Sequence, residues 1–328
     1  NSWVNGPARF AYMAIRRPDG YVGKPAEAGT DVFAMDVGSG SSTIPTYDSG
    51  FPVGFSLMRQ PASTEEWFTS ARLIQGKYLY TNGTNTEQSH GNWVFDDNTG
   101  WSKVYGPSYQ SWMWKRHAGF DVVTYKGNDG TPIAHSLGKT PEMIWVKNRN
   151  NTDNWNVWHK GLNGGGSNAA NYYLRLNTQD SQQTATNRFG GSGSLLPTST
   201  TIFSSGVDSY QTNSAYYNYI AMLFASVDGI SKVGSYTGNA SSSGPTITLG
   251  FAPRFIIIKC ASVGGTNWFV YDTLRGLTAG NDKRLYLNTT GGQDTADDID
   301  PSATGFQVVS TWDQLNDNNA TYIYYAHA

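Results

Sequence analysis

Three loops hold the residue types best suited to gripping a small polar ligand: WFTSARL from Trp67, NWNVWHKGL from Asn154 and NWFVYDTLRGL from Asn267. Each has a tryptophan as its first or second residue, and in the later two Trp158 or Tyr271 follows three residues after it, ahead of a polar residue and a Lys or Arg. An aromatic face can stack on a sugar ring while neighbouring polar groups bond its hydroxyls. Trp67, Trp155 and Trp268 recur at the same place, which marks them as core residues at the start of a strand. Trp158, Tyr271 and Asp272 change from loop to loop, so they are the candidate ligand-binding residues, expected at the surface.

No catalytic residue stands out beside them. The five histidines (His90, His117, His135, His159 and His327) show none of the H-x-H or H-E-x-x-H spacings that hold a metal, and Cys260 is the single cysteine. His117 and His327 each precede an alanine in a matching strand ending, where a third copy has Phe224; a position that accepts Phe is one of packing. Carboxylates gather at Asp96-Asp97 and in DTADDID from Asp294. The second group makes calcium the one cofactor left open, but its spacing does not match an EF-hand and a solvated loop is the simpler reading. The glycine-rich GNDG and GGSGS lack the Gly-Lys-Ser/Thr of a phosphate loop and precede no predicted helix. Cys260 lies in FIIIKC, a buried setting for a small apolar side chain.

The elements that must position these residues come in repeats. The stretch from Val122, VVTYKGNDGTPIAHSLGKTPEMIWVKNRNNTDNWNVWHKGL, returns from Lys232 as KVGSYTGNASSSGPTITLGFAPRFIIIKCASVGGTNWFVYDTLRGL. Tyr125 and Tyr236, then Leu174 and Leu285 of LRLNT and LYLNT, lie 111 residues apart, and YIAMLFA from Tyr219 is answered by YIYYAHA from Tyr322. A weaker copy runs from Phe51 in the order Pro, apolar strand, basic residue, Trp, Arg, Leu-x-Tyr-x-Asn, and closes on WMWKRHA with His117 set against His327. Phe10 to Arg17 resembles a further closing strand, as if the chain were cut from a longer array. The expected organisation is therefore residues 1–29 as the closing strand and linker of an upstream repeat, 30–118 as a divergent repeat, and 119–228 and 229–328 as two β-sandwich repeats. Each repeat of about 100 residues carries some seven short strands with Gly, Pro and Asn between them, the mark of an all-β sandwich of jelly-roll or lectin-like kind. PEMIWVK and PRFIIIK are unbroken apolar runs, predicted as central strands covered on both faces.

Composition narrows the function. Charged residues are only 15% of the 328, while 37 Gly, 20 Tyr and 11 Trp suit turns and pleated surfaces. A net charge of −2 with no basic cluster argues against a nucleic-acid partner. No apolar run approaches the ~20 residues that cross a bilayer and no signal peptide opens the chain. The absent initiator Met points to a processed protein or a fragment.

The block SWMWKRHAGFDVVTYKGNDGTPIAHSLGKTPEMIWVKNRNNTDNWNVWHKGL, followed by YIAMLFASVDGISKVGSYTGN and FAPRFIIIKCASVGGTNWFVYDTLRG, resembles a tandem domain family of unassigned function. That family occurs in tail-fibre-like and other structural proteins of marine and environmental bacteriophages. The resemblance implies a non-enzymatic virion protein, a tail-fibre or surface-fibre segment in an extracellular particle. Its implied partners are other virion subunits, in a homo-oligomer that would be a trimer if a fibre, and a host surface glycan. A glycan depolymerase or glycosidase of a phage tail is one alternative; a capsid decoration or purely architectural protein is another.

Overall fold

The computed structural model describes residues 26, 28–40, 45–103, 106–190, 196–203 and 209–328, and the expected strand at Phe10–Arg17 lies outside them. The first unit holds β1 (Phe33–Val37), β2 (Tyr47–Asp48), β3 (Phe55–Arg59), β4 (Phe68–Ala71), β5 (Lys77–Tyr80), β6 (Gln88–Ser89), β7 (Gly100–Trp101) and β8 (Gln110–Trp114). The second holds β9 (Phe120–Lys126), β10 (Met143–Asn148), β11 (Asn156–His159), β12 (Tyr172–Arg175), β13 (Gln183–Thr184) and β14 (Asn218–Phe224). In the third come β15 (Ser231–Thr237), β16 (Thr246–Thr248), β17 (Phe255–Cys260), β18 (Trp268–Asp272), β19 (Asp282–Tyr286) and β20 (Asp294–Ala296). They are followed by β21 (Ile299–Ser302), β22 (Gly305–Val308) and β23 (Thr321–His327).

Each unit builds one six-stranded antiparallel sheet, and all three share one topology. The orders are β1-β8-β3-β4-β5-β6, β9-β14-β10-β11-β12-β13 and β15-β23-β17-β18-β19-β20. The last strand of each unit inserts between its first and second main strands. The apolar runs predicted as central do lie inside the sheets: β10 and β17 are buried at every residue. Side chains on a strand alternate between faces, so one run feeds two cores. In β17, Phe255 and Ile257 join a core common to all three units, while Ile256, Ile258 and Cys260 join one private to the third.

The private faces are covered by second layers, which makes each unit a sandwich. The third unit uses the small sheet β16-β22-β21, and the first uses the pair β2-β7 with Trp93, Phe95 and Trp101. The second unit uses loops carrying Ile133, Leu137, Phe189, Ile202 and Phe203, tied by a bridge between Ala134 and Thr201.

The opposite faces meet. Phe55, Trp112 and Trp114 from the first sheet pack in one cluster with Trp145, Met222 and Phe224 from the second and Phe255, Ile257 and Tyr325 from the third. Contact across units is direct: the Trp114 indole donates to the Tyr325 hydroxyl at 3.3 Å, and the Phe224 and Tyr325 rings lie 4.8 Å apart. The units therefore do not stack end to end through edge strands, as a linear array would; among the described residues no strand pairs with a strand of another unit. They close as a triangle around a pseudo-threefold axis.

Candidate functional site

The three tryptophans of the repeated loops hold that triangle shut. The indole N–H of Trp67 donates to the Tyr286 carbonyl at 2.8 Å, that of Trp155 to Tyr80 at 2.8 Å and that of Trp268 to Arg175 at 3.0 Å. The three acceptors are equivalent, each two residues before the asparagine that ends LYTN, LRLN or LYLN. The asparagines Asn82, Asn177 and Asn288 in turn accept the backbone N–H of Trp67, Trp155 and Trp268. The first unit thus bonds to the third, the second to the first and the third to the second.

Loop backbones repeat the same cycle. Glu65 donates to Thr290, Asp153 to Thr84 and Gly265 to Gln179, at 2.9, 3.1 and 2.8 Å; in return Gln293 donates to Pro61, Glu87 to Arg149 and Gln182 to Ala261. A buried cation sits beneath each pair of loops. Arg59 donates to the carbonyls of Ser63, Thr290 and Gly291, Lys147 to those of Thr84, Asn148 and Asn151, and Lys259 to that of Thr266. Burial disfavours their charge, lowering Lys147 and Lys259 to about 8 and Arg59 to about 10.

The residues predicted to touch a ligand are all inside. Trp158 is 2% exposed and Tyr271 and Asp272 are 0% exposed. The Trp158 indole donates to the Ala169 carbonyl at 3.1 Å, and the Tyr271 hydroxyl to Asp298 at 2.8 Å. Asp272 accepts from Arg275 Nε at 2.6 Å, from the Trp112 indole at 2.9 Å and from Gln110 at 3.3 Å, so it joins the third unit to the first. Their variation between units reflects different second layers and junctions rather than a surface, and the expectation of surface contact is corrected on that ground.

The matching of the two histidines is also corrected. Strand register aligns His327 with Phe224 and with Trp114, through their partners Phe255, Met143 and Phe55. His117 lies three residues beyond the end of β8 and reaches His327 from outside the sheet, with ring centroids 6.3 Å apart. Burial pulls His117 and His159 down to about 3 and His327 to about 4, so all three are neutral at ordinary pH. His159 Nδ1 accepts the backbone N–H of Gly161 at 2.9 Å.

The acidic segment from Asp294 is not a loop but lies in and between two strands, β20 and β21; its Asp294 is exposed and Asp298 buried, and both are joined to Arg284. Arg284 donates to Asp294 at 2.8 Å and to Asp298 at 2.7 Å. Asp282, pushed up to about 7 by burial, accepts backbone N–H groups of Ile299 and Thr278. No group of three or more His, Cys, Asp or Glu among the described residues is placed to hold a metal ion. Cys260 is a free, buried thiol.

Two hollows lie where the turn after the third main strand of one unit crosses the first strand of the next. Between the first and second units, about 260 Å³ is lined by Leu73, Arg116, Val122, Val123, Thr124, Ala134, His135 and Ser136. Between the second and third units, about 400 Å³ is lined by Lys160, Gly161, Gly164, Gly165, Ser235, Tyr236, Thr237 and Thr321. Sequence reasoning missed this second hollow, although WHKGLNGGG, with a glycine where the other two units have leucine, was its visible sign.

Residues 76–328 match the model of a family described as a domain of unknown function (DUF7483). The chain belongs to that family. The DUF7483 match begins just ahead of β5, so it takes in the second and third units whole and the donor and acceptor of two of the three closing indole bonds. Trp67 and Arg59, on the third contact, lie upstream of it. The search of curated proteins found no match to this chain, and neither did the search of solved structures.

Proposed function

We propose that this chain is a non-enzymatic structural protein of a bacteriophage virion, a segment of a tail or surface fibre that contacts a glycan on the host. One observation supports the non-enzymatic part of the reading: the buried Arg59, Lys147 and Asp272 bond across the junctions that close the triangle, and neither hollow is lined by a carboxylate. Glycoside hydrolysis would need two carboxyl groups about 5 to 10 Å apart flanking the bond to be cut. What the fold offers instead is a rigid three-sided body with variable loops on a fixed scaffold, which suits assembly and contact. Its partners in this reading are other virion subunits, with the chains grouped as a homo-oligomer, a trimer in a fibre.

Mass spectrometry and immunogold labelling of purified particles, alongside a reducing-sugar assay on host polysaccharide, test the proposal. The protein should be found in the particle and release no sugar. Turnover that vanishes when one carboxylate is changed to alanine would overturn it in favour of a depolymerase.

A further inference from the structure

The pseudo-threefold repeat makes any departure from it informative, and one falls at the hollow between the second and third units. By strand register, Leu73, Gly161 and Leu274 occupy one position in the three turns, each two residues past the equivalent residues Ala71, His159 and Asp272. Leu73 and Leu274 are 45% and 47% exposed. The strand position they cross changes less: it holds Val37 in the first unit and a hydroxyl residue, Thr124 or Ser235, in the other two. Glycine fits closely at 161: an added Cβ would stand 3.0 Å from Ser235 and 3.2 Å from the His159 ring, a tight approach that those neighbours would have to yield to. The turn therefore lies close on the strand, and Gly164 and Gly165, at φ +80° and +84°, carry the chain away in a conformation that side-chain-bearing residues rarely adopt.

What this opens is a hydroxyl-lined groove. Thr237 and Thr321 face each other across the β15–β23 pair and Ser235 lies two residues along. The Lys160 ammonium stands 2.6 Å from Glu142, with its side chain 41% exposed. Serine and threonine hydroxyls both donate and accept, and a lysine keeps further donors beside its one carboxylate partner. That set matches a chain of neighbouring hydroxyls, each of which also donates and accepts. A volume of about 400 Å³ is within the roughly 300–1,000 Å³ of small-ligand sites. We infer that this groove is a binding subsite for a polyhydroxylated ligand, one sugar unit of a saccharide. The inference rests on the glycan-contact reading above for the source of the sugar.

The test uses isotope-labelled protein titrated with glucose, galactose, mannose and rhamnose, read as amide chemical-shift changes, together with a pull-down on host polysaccharide. At least one sugar is expected to shift the amides of Gly161, Gly164, Ser235 and Thr237 saturably. The double variant Thr237→Val/Thr321→Val, which keeps the branched shape, should bind about 10-fold more weakly, with its melting temperature unchanged within about 2 °C. Shifts confined to another region, or equal binding by the double variant, overturn the groove. Polysaccharide capture without any shift at the groove overturns the subsite and leaves the glycan reading standing. Sugar bound in the groove with no capture of host polysaccharide keeps the subsite and overturns that reading, and failure of both sinks both.

Discussion

Replacing Trp155 with phenylalanine removes one indole N–H from the ring of contacts while leaving an aromatic side chain in place. The Tyr80 carbonyl loses a 2.8 Å donor in a setting where Trp155 is 0% exposed. An orphaned buried polar group costs about 1–3 kcal/mol. The smaller ring leaves about 40 Å³ unfilled, which at about 24 cal/mol per Å³ adds about 1 kcal/mol. The expected loss is on the order of 3 kcal/mol, a large part of the roughly 5–15 kcal/mol that holds a protein folded. Because the three indole bonds are 2.8, 2.8 and 3.0 Å long and equally buried, Trp67→Phe and Trp268→Phe should cost the same within about 1 kcal/mol. Guanidinium unfolding followed by fluorescence and circular dichroism measures all three. In addition, hydrogen exchange in Trp155→Phe should rise at β5 in the first unit, which carries the acceptor. A loss below about 1 kcal/mol, or a separate early transition confined to the second unit, would refute closure through these tryptophans.

The buried groups set three further expectations. His327 is held at about 4 in the fold against 6.5 unfolded, so its contribution is full above about pH 6.5 and is lost as pH falls toward 4. The ceiling of that loss is about 3 kcal/mol. His327→Phe, which copies Phe224, should flatten the acid limb of a stability–pH curve; an unchanged slope would contradict it. Lys147 is lowered to about 8, so its burial costs most below that pH and stability should rise between about pH 8 and 10.5. Lys147→Met should cut that rise to the share of Lys259, which burial also lowers to about 8, and, by stranding the Thr84, Asn148 and Asn151 carbonyls, destabilise the protein by about 2–3 kcal/mol at pH 7. Cys260, being buried, should resist a thiol reagent until denaturant is added; rapid labelling of the native protein would place it elsewhere.

How far these features were legible depended on whether side chains or backbone carry them. Period-two apolar runs such as PRFIIIK and the spacing of Trp, basic residue and LYLN define the strands and the repeats directly, because side-chain type dictates burial. Closure was not legible: the acceptors on Tyr80, Arg175 and Tyr286 and the loop carbonyls of Thr84, Gln179 and Thr290 are backbone groups with no signature of their own. Trp158 was misplaced for a related reason. It stands three residues from Trp155 and so on the opposite face of β11, and no sequence pattern told that loops from elsewhere in the unit cover that face. His117 was mismatched because a shared His-Ala outweighed strand register, which only the pairing of β8 with β3 reveals.

Contact between the first and third units separates a closed triangle from a linear array most directly, since in an array those two units do not touch. Spin labels on Thr64→Cys and Gly291→Cys, with Cys260→Ala and unlabelled chain added to suppress distances between molecules, report it by pulsed electron resonance. The loops that carry both sites are hydrogen-bonded, Glu65 to Thr290 at 2.9 Å and Gln293 to Pro61 at 2.7 Å. Closure therefore requires a narrow distribution within about 20 Å once the label arms are included. A distribution near 60 Å, about two unit diameters for domains of this size, would contradict the triangle and return the chain to a string of separate sandwiches.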